Sequence, residues 1–347
     1  MTILKLQKTR KVRTHKSSTY CLYGGNVIDA YDSWGRPDAI ISDGAYGVRG
    51  FPGDTVDESG LVEWYRPHIE AWSKAAKYST SLWFWNTEVG WATVHPVLIA
   101  NGWEYVETIV WDKGLAHIAG NVNGRTIRQM PVVSEVSVLY RRKIVLSTED
   151  GSLPVKQWLR HEWQRSGLPL YKANVACGVK NAATRKYLTQ DWLWYWPPGS
   201  AVEDMARYCM AYGKRTDRPY FSLDGVNEIS ASAWDDMRAK WNHRNGLTNV
   251  WTRPPLANSE RLKRENHSKS VHFNQKPLEF MERQILATTD AGDIVWEPFG
   301  GLCSASVAAI QTGRYPFAAE CIEEFERLAL ERLDDATTRR GDMEDAG

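Results

Sequence analysis

The run DIVWEPFGGLCSASVAAI (residues 293–310) passes from a continuous apolar stretch, through paired glycines, into a segment with helical spacing. A strand buried on both faces of a parallel sheet reads as such an unbroken apolar run, and a glycine turn after it lets a ligand approach the backbone closely. About twenty residues beyond the turn the next strand, YPFAAE, ends on Glu320. An acidic side chain at the C-terminal end of a strand can accept hydrogen bonds from ribose hydroxyls. The turn lacks the complete GxGxxG pattern, which argues against an ordinary dinucleotide site.

Outward from this unit, KPLEFMERQILATT reads as the preceding helix and EEFERLALERL as the final one. Strands and helices also alternate from residue 18 to about 140. TYCLYGGNVIDAY is a strand, a Gly-Gly turn and a helix start. DAIIS is a buried strand, and SGLVEWYRPHIEAWSKAAKY a helix with Ser59 as its N-cap. TSLWFWN, EYVETIVWDKG and VVSEVSVLYRR are further strands, with the helix GWATVHPVLIANG among them. Near Thr148 the pattern changes to Trp-rich and charge-rich segments that continue to about Trp251.

The strand DAIIS delivers Asp43 into a Gly44-Ala45 step followed by Tyr46, a stretch that resembles the catalytic strand of the amino-group DNA methyltransferases, and the chemistry that resemblance implies accounts for the residue types. An exocyclic amine on a nucleobase is a poor nucleophile, because its lone pair is delocalised into the ring. Acceptors for its N–H groups let the nitrogen become tetrahedral. Asp43 can supply one acceptor and the backbone carbonyl of Gly44 the other, while Tyr46 offers a ring to stack on a flipped base. Such catalysis is positioning plus electrostatic stabilisation.

Over some sixty residues, HFNQKPLEFMERQILATTDAGDIVWEPFGGLCSASVAAIQTGRYPFAAECIEEFERLALERL (residues 272–333) resembles the C-terminal half of the amino-group DNA methyltransferases, the adenine-N6 and cytosine-N4 enzymes. DAIISDGAYG resembles their catalytic strand, with Gly44-Ala45 in place of Pro-Pro. Catalytic strand first and cofactor turn last is the order of the β class. The resemblance implies S-adenosylmethionine as cofactor. It places Gln275, Lys276 and Pro277 near the methionine end, and Glu297, Phe299, Gly301 and Ser304 in the motif turn. It places Asn26, after Gly25, near the adenine and gives Glu320 the ribose role. Asp43 in the catalytic position favours adenine N6 over cytosine N4, unless the register shifts by one to Ser42. Glu297 stands where the family has Asp, and Leu302-Cys303 replaces Ser-Gly, so a positive φ at Cys303 would carry a steric cost.

Residues 148–251 occupy the place of the family's target-recognition region. LPVKQWLRHEWQRSGLPLYKANVACGVKNAATRKYL reads as three short helices, the third capped by Asn181 and presenting Lys180, Arg185 and Lys186 to a DNA groove in helix-turn-helix fashion. Trp192, Trp194 and Trp196 share one face at period two and pack against these helices. GKRTDRPYF and RLKREN add positive charge suited to phosphates.

The five cysteines are widely spaced, with no CxxC pair and no His cluster at metal spacing, so they read as reduced thiols of a cytoplasmic protein without structural zinc or another metal. No apolar run of about 18 residues and no secretory signal is present, so membrane and export roles drop out. Lys5, Lys8, Arg10, Lys11, Arg13 and Lys16 make the N-terminus a basic arm. Seventeen tryptophans require large cores or flat stacking surfaces.

We therefore expect an α/β chain with a class I, Rossmann-like, predominantly parallel seven-stranded methyltransferase sheet and an inserted, mainly helical target-recognition module. The regions are a basic arm (1–17), a catalytic half (18–147), the module (148–251), a cofactor-binding half (252–335) and a disordered tail (336–347). The expected partner is double-stranded DNA, and the resemblance permits a homodimer and a companion restriction endonuclease. The alternatives are cytosine-N4 methylation, methylation of RNA, and a non-catalytic DNA-binding subunit in which Gly44-Ala45 and Leu302-Cys303 record lost activity.

Overall fold

The structure, a computed structural model, describes residues 12–49, 53–117, 125–189, 191–257, 260–263, 271 and 274–345. Lys5, Lys8, Arg10 and Lys11 of the expected arm, residues 264–266 of RLKREN and residues 272–273 lie outside the described residues. The chain divides into two compact units, one formed by Met1–Arg142 with Lys240–Gly347, the other by Lys143–Ala239.

In the first unit the strands are β1 (Arg13–Lys16), β2 (Cys21–Gly24), β3 (Ala39–Ser42), β4 (Ser81–Asn86), β5 (Trp103–Asp112) and β6 (Ser134–Arg142). Helices α1 (Leu61–Ala75) and α2 (Glu88–Ala100) flank β4 in sequence. The second unit carries β7 (Val145–Thr148), β8 (Gly151–Pro154), α3 (Val155–Arg165), α4 (Lys172–Ala176), α5 (Gly199–Tyr212) and α6 (Ala231–Asp235). The first unit resumes with β9 (Val250–Thr252), α7 (Leu278–Thr288), β10 (Ile294–Glu297), α8 (Ser304–Gln311), β11 (Tyr315–Glu320) and α9 (Glu323–Asp345).

The large sheet runs β1-β2-β11-β10-β3-β4-β6-β5-β9. Pairs β2/β11, β11/β10, β10/β3 and β3/β4 are parallel, and β6 is antiparallel to both β4 and β5. The expected seven strands are its interior, and two short edge strands extend it to nine among the described residues. Arg13 and Lys16 belong to one of these, β1, paired antiparallel with β2, rather than to an arm. The other, β9, pairs parallel with Val110–Asp112, so the stretch expected at the end of the module belongs to the sheet.

Period-two alternation sorts the strand side chains between two cores. Ile40, Leu82 and Phe84 pack with Tyr65, Ile69 and Trp72 of α1 on one face. Ile41, Trp83 and Trp85 pack with Phe280 and Ile285 of α7 and Ala305 of α8 on the other. The tryptophans mainly build cores: Trp72, Trp83, Trp85, Trp103, Trp158, Trp163, Trp234 and Trp296 are fully buried.

Four local expectations are corrected. Helix α9 continues through most of the expected tail, because Ala336 is buried and Thr337 Oγ1 lies 2.7 Å from Thr19 Oγ1. Asp57, not Ser59, caps the 3₁₀ turn that leads into α1; its carboxylate accepts from Ser59 N at 3.0 Å. The expected third helix of the module is a π-type turn over Thr184–Leu188, and Asn174 rather than Asn181 receives its Thr184 amide, at 3.1 Å. Trp192 is 88% exposed, whereas Trp194 and Trp196 pack on the second unit's core, where Trp196 meets Trp234 at 4.7 Å. The stretch is not a strand, so period two does not apply.

Candidate active site

A cavity of about 850 Å³ opens at the C-terminal ends of β2, β11, β10 and β3. Of the residues singled out from the sequence, Asn26, Asp43, Gly44, Tyr46, Gln275, Lys276, Glu297, Phe299, Gly301, Ser304 and Glu320 line it, and Pro277 stands next to it as the N-cap of α7. Ser42 is fully buried in β3 and absent from the wall, so Asp43 is the residue the strand presents.

The Gly44-Ala45 step is held by its neighbours. The Ala45 carbonyl accepts from the buried Tyr65 hydroxyl at 3.0 Å and from Asn86 Nδ2 at 2.8 Å. Each such bond is worth about 0.5–1.5 kcal/mol, comparable with the ~0.4–1 kcal/mol of stiffness lost with each missing proline. The Asp54 carboxylate gathers the following loop, accepting from the backbone amides of Tyr46 (3.0 Å), Gly47 (2.9 Å), Val48 (3.3 Å) and Thr55 (2.6 Å).

Behind Asp43 lies a charged cluster that the sequence reading did not assemble. Lys276 Nζ is 2.8 Å from Asp43 Oδ1, 2.9 Å from Glu135 Oε1 and 3.0 Å from the Tyr46 hydroxyl. Lys113 Nζ is 2.9 Å from Glu135 Oε2. Burial pushes the Glu135 carboxyl up, but Lys276 and Lys113 outweigh it and hold the group below the ordinary carboxylate value. Burial likewise pushes Lys276 down, and Asp43 and Glu135 hold it above the ordinary lysine value. Lys276, placed by resemblance near the methionine end, therefore joins the catalytic strand as well as lining the cavity. Tyr46 is tethered through its hydroxyl, and burial first, then the two carboxylates, push it well above the usual phenol value.

The glycine turn leads into α8. Both oxygens of Glu297 are taken by that helix: Oε1 accepts from Ala305 N at 3.0 Å, and Oε2 from Ser306 N at 2.7 Å and Ser306 Oγ at 2.6 Å. Burial, opposed by these donors, pushes its carboxyl up to about 7. Cys303, the residue before α8, adopts the left-handed conformation, φ 54°, so the steric cost of a side chain at that φ applies. Glu320 Oε2 accepts from Gly301 N at 2.7 Å and Oε1 from Ile322 N at 2.6 Å, which fixes the carboxylate at the cavity wall.

Asn26 caps a 3₁₀ turn through Ile28 N (3.2 Å). Gln275 bridges to Leu262 N (3.1 Å) and the Glu260 carbonyl (2.8 Å), so its amide braces the chain before α7. One wall sets Phe299 of the motif turn against Trp64 and His68, two residues that the sequence reading did not single out. His68 Nδ1 is 3.0 Å from the Tyr31 hydroxyl, and burial lowers the ring's pKa from 6.5 to about 4, so the imidazole is neutral. Lys180, Arg185 and Lys186 are not among the residues lining this cavity; they are exposed on the second unit, with Lys186 Nζ 5.2 Å from the centre of the Tyr195 ring. Among the described residues no His/Cys/Asp/Glu group could hold a metal ion, and no helix is long and apolar enough to cross a membrane.

A mostly parallel sheet whose seven interior strands include one antiparallel strand, β6, a glycine turn after β10 and an acidic residue ending β11 together define a class I methyltransferase fold. The family model described as DNA methylase, N6_N4_Mtase, matches residues 37–331, and the chain belongs to that family. DNA adenine methyltransferase YhdJ of Escherichia coli (strain K12) is 34% identical over 97 residues, 28% of this chain and 31% of that protein. The type II methyltransferase M.BglII of Bacillus subtilis is 35% identical over 71 residues, 20% of either protein. The chain thus aligns with less than a third of the length of these two relatives. The cytosine-N4-specific PvuII DNA methyltransferase shares the fold, with a TM-score of 0.51 at 12% identity over 94% of this chain and 93% of that one.

Proposed function

We propose that the protein transfers a methyl group from S-adenosylmethionine to the exocyclic amine of a base in double-stranded DNA, with adenine N6 as the acceptor. The observation that carries this reading is the placement of Asp43 and the glycine turn on one cavity wall, Asp43 at the end of β3 and Gly301, held by Glu320, after β10. The choice of adenine is supported by Asp43, rather than Ser42, lining that wall.

The residues present fit the cofactor. The cavity is within the ~300–1,000 Å³ range of small-molecule sites. Glu320, which lines the cavity and is fixed by the Gly301 and Ile322 amides, would accept from a ribose diol. Asn26 and Ile28 would flank the adenine, and Lys276 and the chain braced by Gln275 the methionine end. When bound, S-adenosylmethionine supplies an electrophilic methyl group.

Asp43 and the Gly44 carbonyl accept the N–H bonds of the base amine, which frees its lone pair and favours the positive charge that develops on nitrogen. Tyr46, tethered through its hydroxyl, presents its ring to an unstacked base. The clamp of Tyr65 and Asn86 on Ala45 supports an active loop over the reading of a non-catalytic subunit, because the step holds its place without proline. The second unit, through Lys180, Arg185 and Lys186, is our candidate for DNA contact.

The test is tritiated methyl transfer to mixed-sequence duplex DNA, followed by mass spectrometry of the nucleosides, with Asp43→Ala as control. N6-methyladenine that disappears in the variant supports the reading. N4-methylcytosine would reassign the base, and a protein that binds DNA without incorporating label would refute catalysis.

A further inference from the structure

Glu135 is 3% exposed, lies at the start of a strand whose following residues from Val136 to Tyr140 are all buried, and is not part of the cavity wall. A buried carboxylate costs several kcal/mol unless it is paired, and a valine would pack the strand without that cost. Its partners explain its presence. An ammonium has three N–H donors, and those of Lys276 have three acceptors in reach: Asp43 Oδ1, Glu135 Oε1 and the Tyr46 oxygen. The single Tyr46 hydroxyl proton lies within reach of Asp43 Oδ1 at 2.7 Å and Glu135 Oε1 at 2.6 Å. Asp43 Oδ1 is thus engaged from the protein interior, while Oδ2 has no hydrogen bond among the described residues.

We propose that Glu135 is a positioning residue of the reaction, which through Lys276 and Tyr46 turns Asp43 Oδ1 inward and leaves Oδ2 as the acceptor offered to the base amine. The inference rests on the methyl-transfer reading above. It also has an electrostatic side. Asp43 and Glu135 together balance Lys276 and Lys113, so the cluster is neutral beside the amine. Without Glu135 it would carry a net positive charge that opposes the charge developing on nitrogen.

The experiment compares the wild-type protein with Glu135→Gln, Tyr46→Phe and the double variant in steady-state methyl transfer to duplex DNA, with S-adenosylmethionine binding followed by calorimetry. Gln keeps the shape of Glu135, and Phe keeps the Tyr46 ring. We expect Glu135→Gln to lower kcat at least about tenfold, with both KM values and cofactor affinity within about twofold of wild type. The double variant should be within about twofold of the slower single one, because both changes act on the same Asp43 oxygen. The inference is overturned if kcat of Glu135→Gln stays within about twofold of wild type, if cofactor affinity falls in step with rate, or if the two losses multiply. A wild-type protein that transfers no methyl group refutes the parent reading and this one with it.

Discussion

Gly44 and Phe299 compete for one volume: a Cβ built on Gly44 would lie 2.7 Å from Phe299 Cδ2 and 2.7 Å from the Tyr65 hydroxyl oxygen. The Phe299 ring is itself hemmed in by Trp64 and His68, at centroid distances of 4.9 and 4.8 Å. Glycine at this step is therefore the complement of a crowded aromatic wall. Gly44→Ala should destabilise the fold by about 1–3 kcal/mol in denaturant unfolding, and a smaller residue at Phe299 should recover part of that loss in the double variant. Additive costs would show that the two positions do not share space.

The buried imidazole of His68 sets an acid limit on stability. Its pKa in the fold is lowered from 6.5 to about 4, so above pH 6.5 the ring is neutral in both states and the full contribution to stability is present. As pH falls from 6.5 towards 4 the unfolded chain binds the proton first, and that contribution is progressively lost. Between pH 7.5 and 5, wild type should lose about 2 kcal/mol more than His68→Gln. Urea titrations at the two pH values measure the difference, and equal losses would place the acid sensitivity elsewhere.

Cys303 reverses the usual order of small residues. A left-handed φ costs a side-chain-bearing residue roughly 1–2 kcal/mol, which glycine does not incur. Cys303→Gly should thus be about 1 kcal/mol more stable than Cys303→Ala, although glycine is ordinarily the weaker choice. Thermal melts of the two variants side by side decide it.

If the second unit binds DNA, Lys180, Arg185 and Lys186 act through phosphates. Replacing all three by alanine should weaken binding equally for unrelated duplexes and reduce the slope of log affinity against log salt by about one for each phosphate that is no longer neutralised. An unchanged slope would remove these residues from the interface.

The strand–turn–helix units were legible because their signals are local. The apolar run of β10, the paired glycines and the strand end at Glu320 follow one another in sequence, and β3 with Asp43 reads the same way. The cluster behind Asp43 was not legible, because Lys113, Glu135 and Lys276 come from the end of β5, from β6 and from the approach to α7, and meet only through strand order. The one clue was Glu135 itself, an acidic residue opening the strand VSEVSV, since a buried charge demands a partner. The second unit was read less well. Its helices are short, so capping and aromatic packing decide their shape more than periodicity does, as Asn174 and Trp196 illustrate. The end of α9 was missed because Ala336 and Thr337 carry little apolar signal, yet lie against the first unit's core and Thr19.

Asp54 joins the two ends of the loop that follows Tyr46, taking amides from Tyr46, Gly47 and Val48 on one side and Thr55 on the other. A loop closed at its base in this way transmits little of its own length to the residues outside the closure. The clasp also holds the Tyr46 backbone amide, so that residue is located at two points, by its amide and by its hydroxyl.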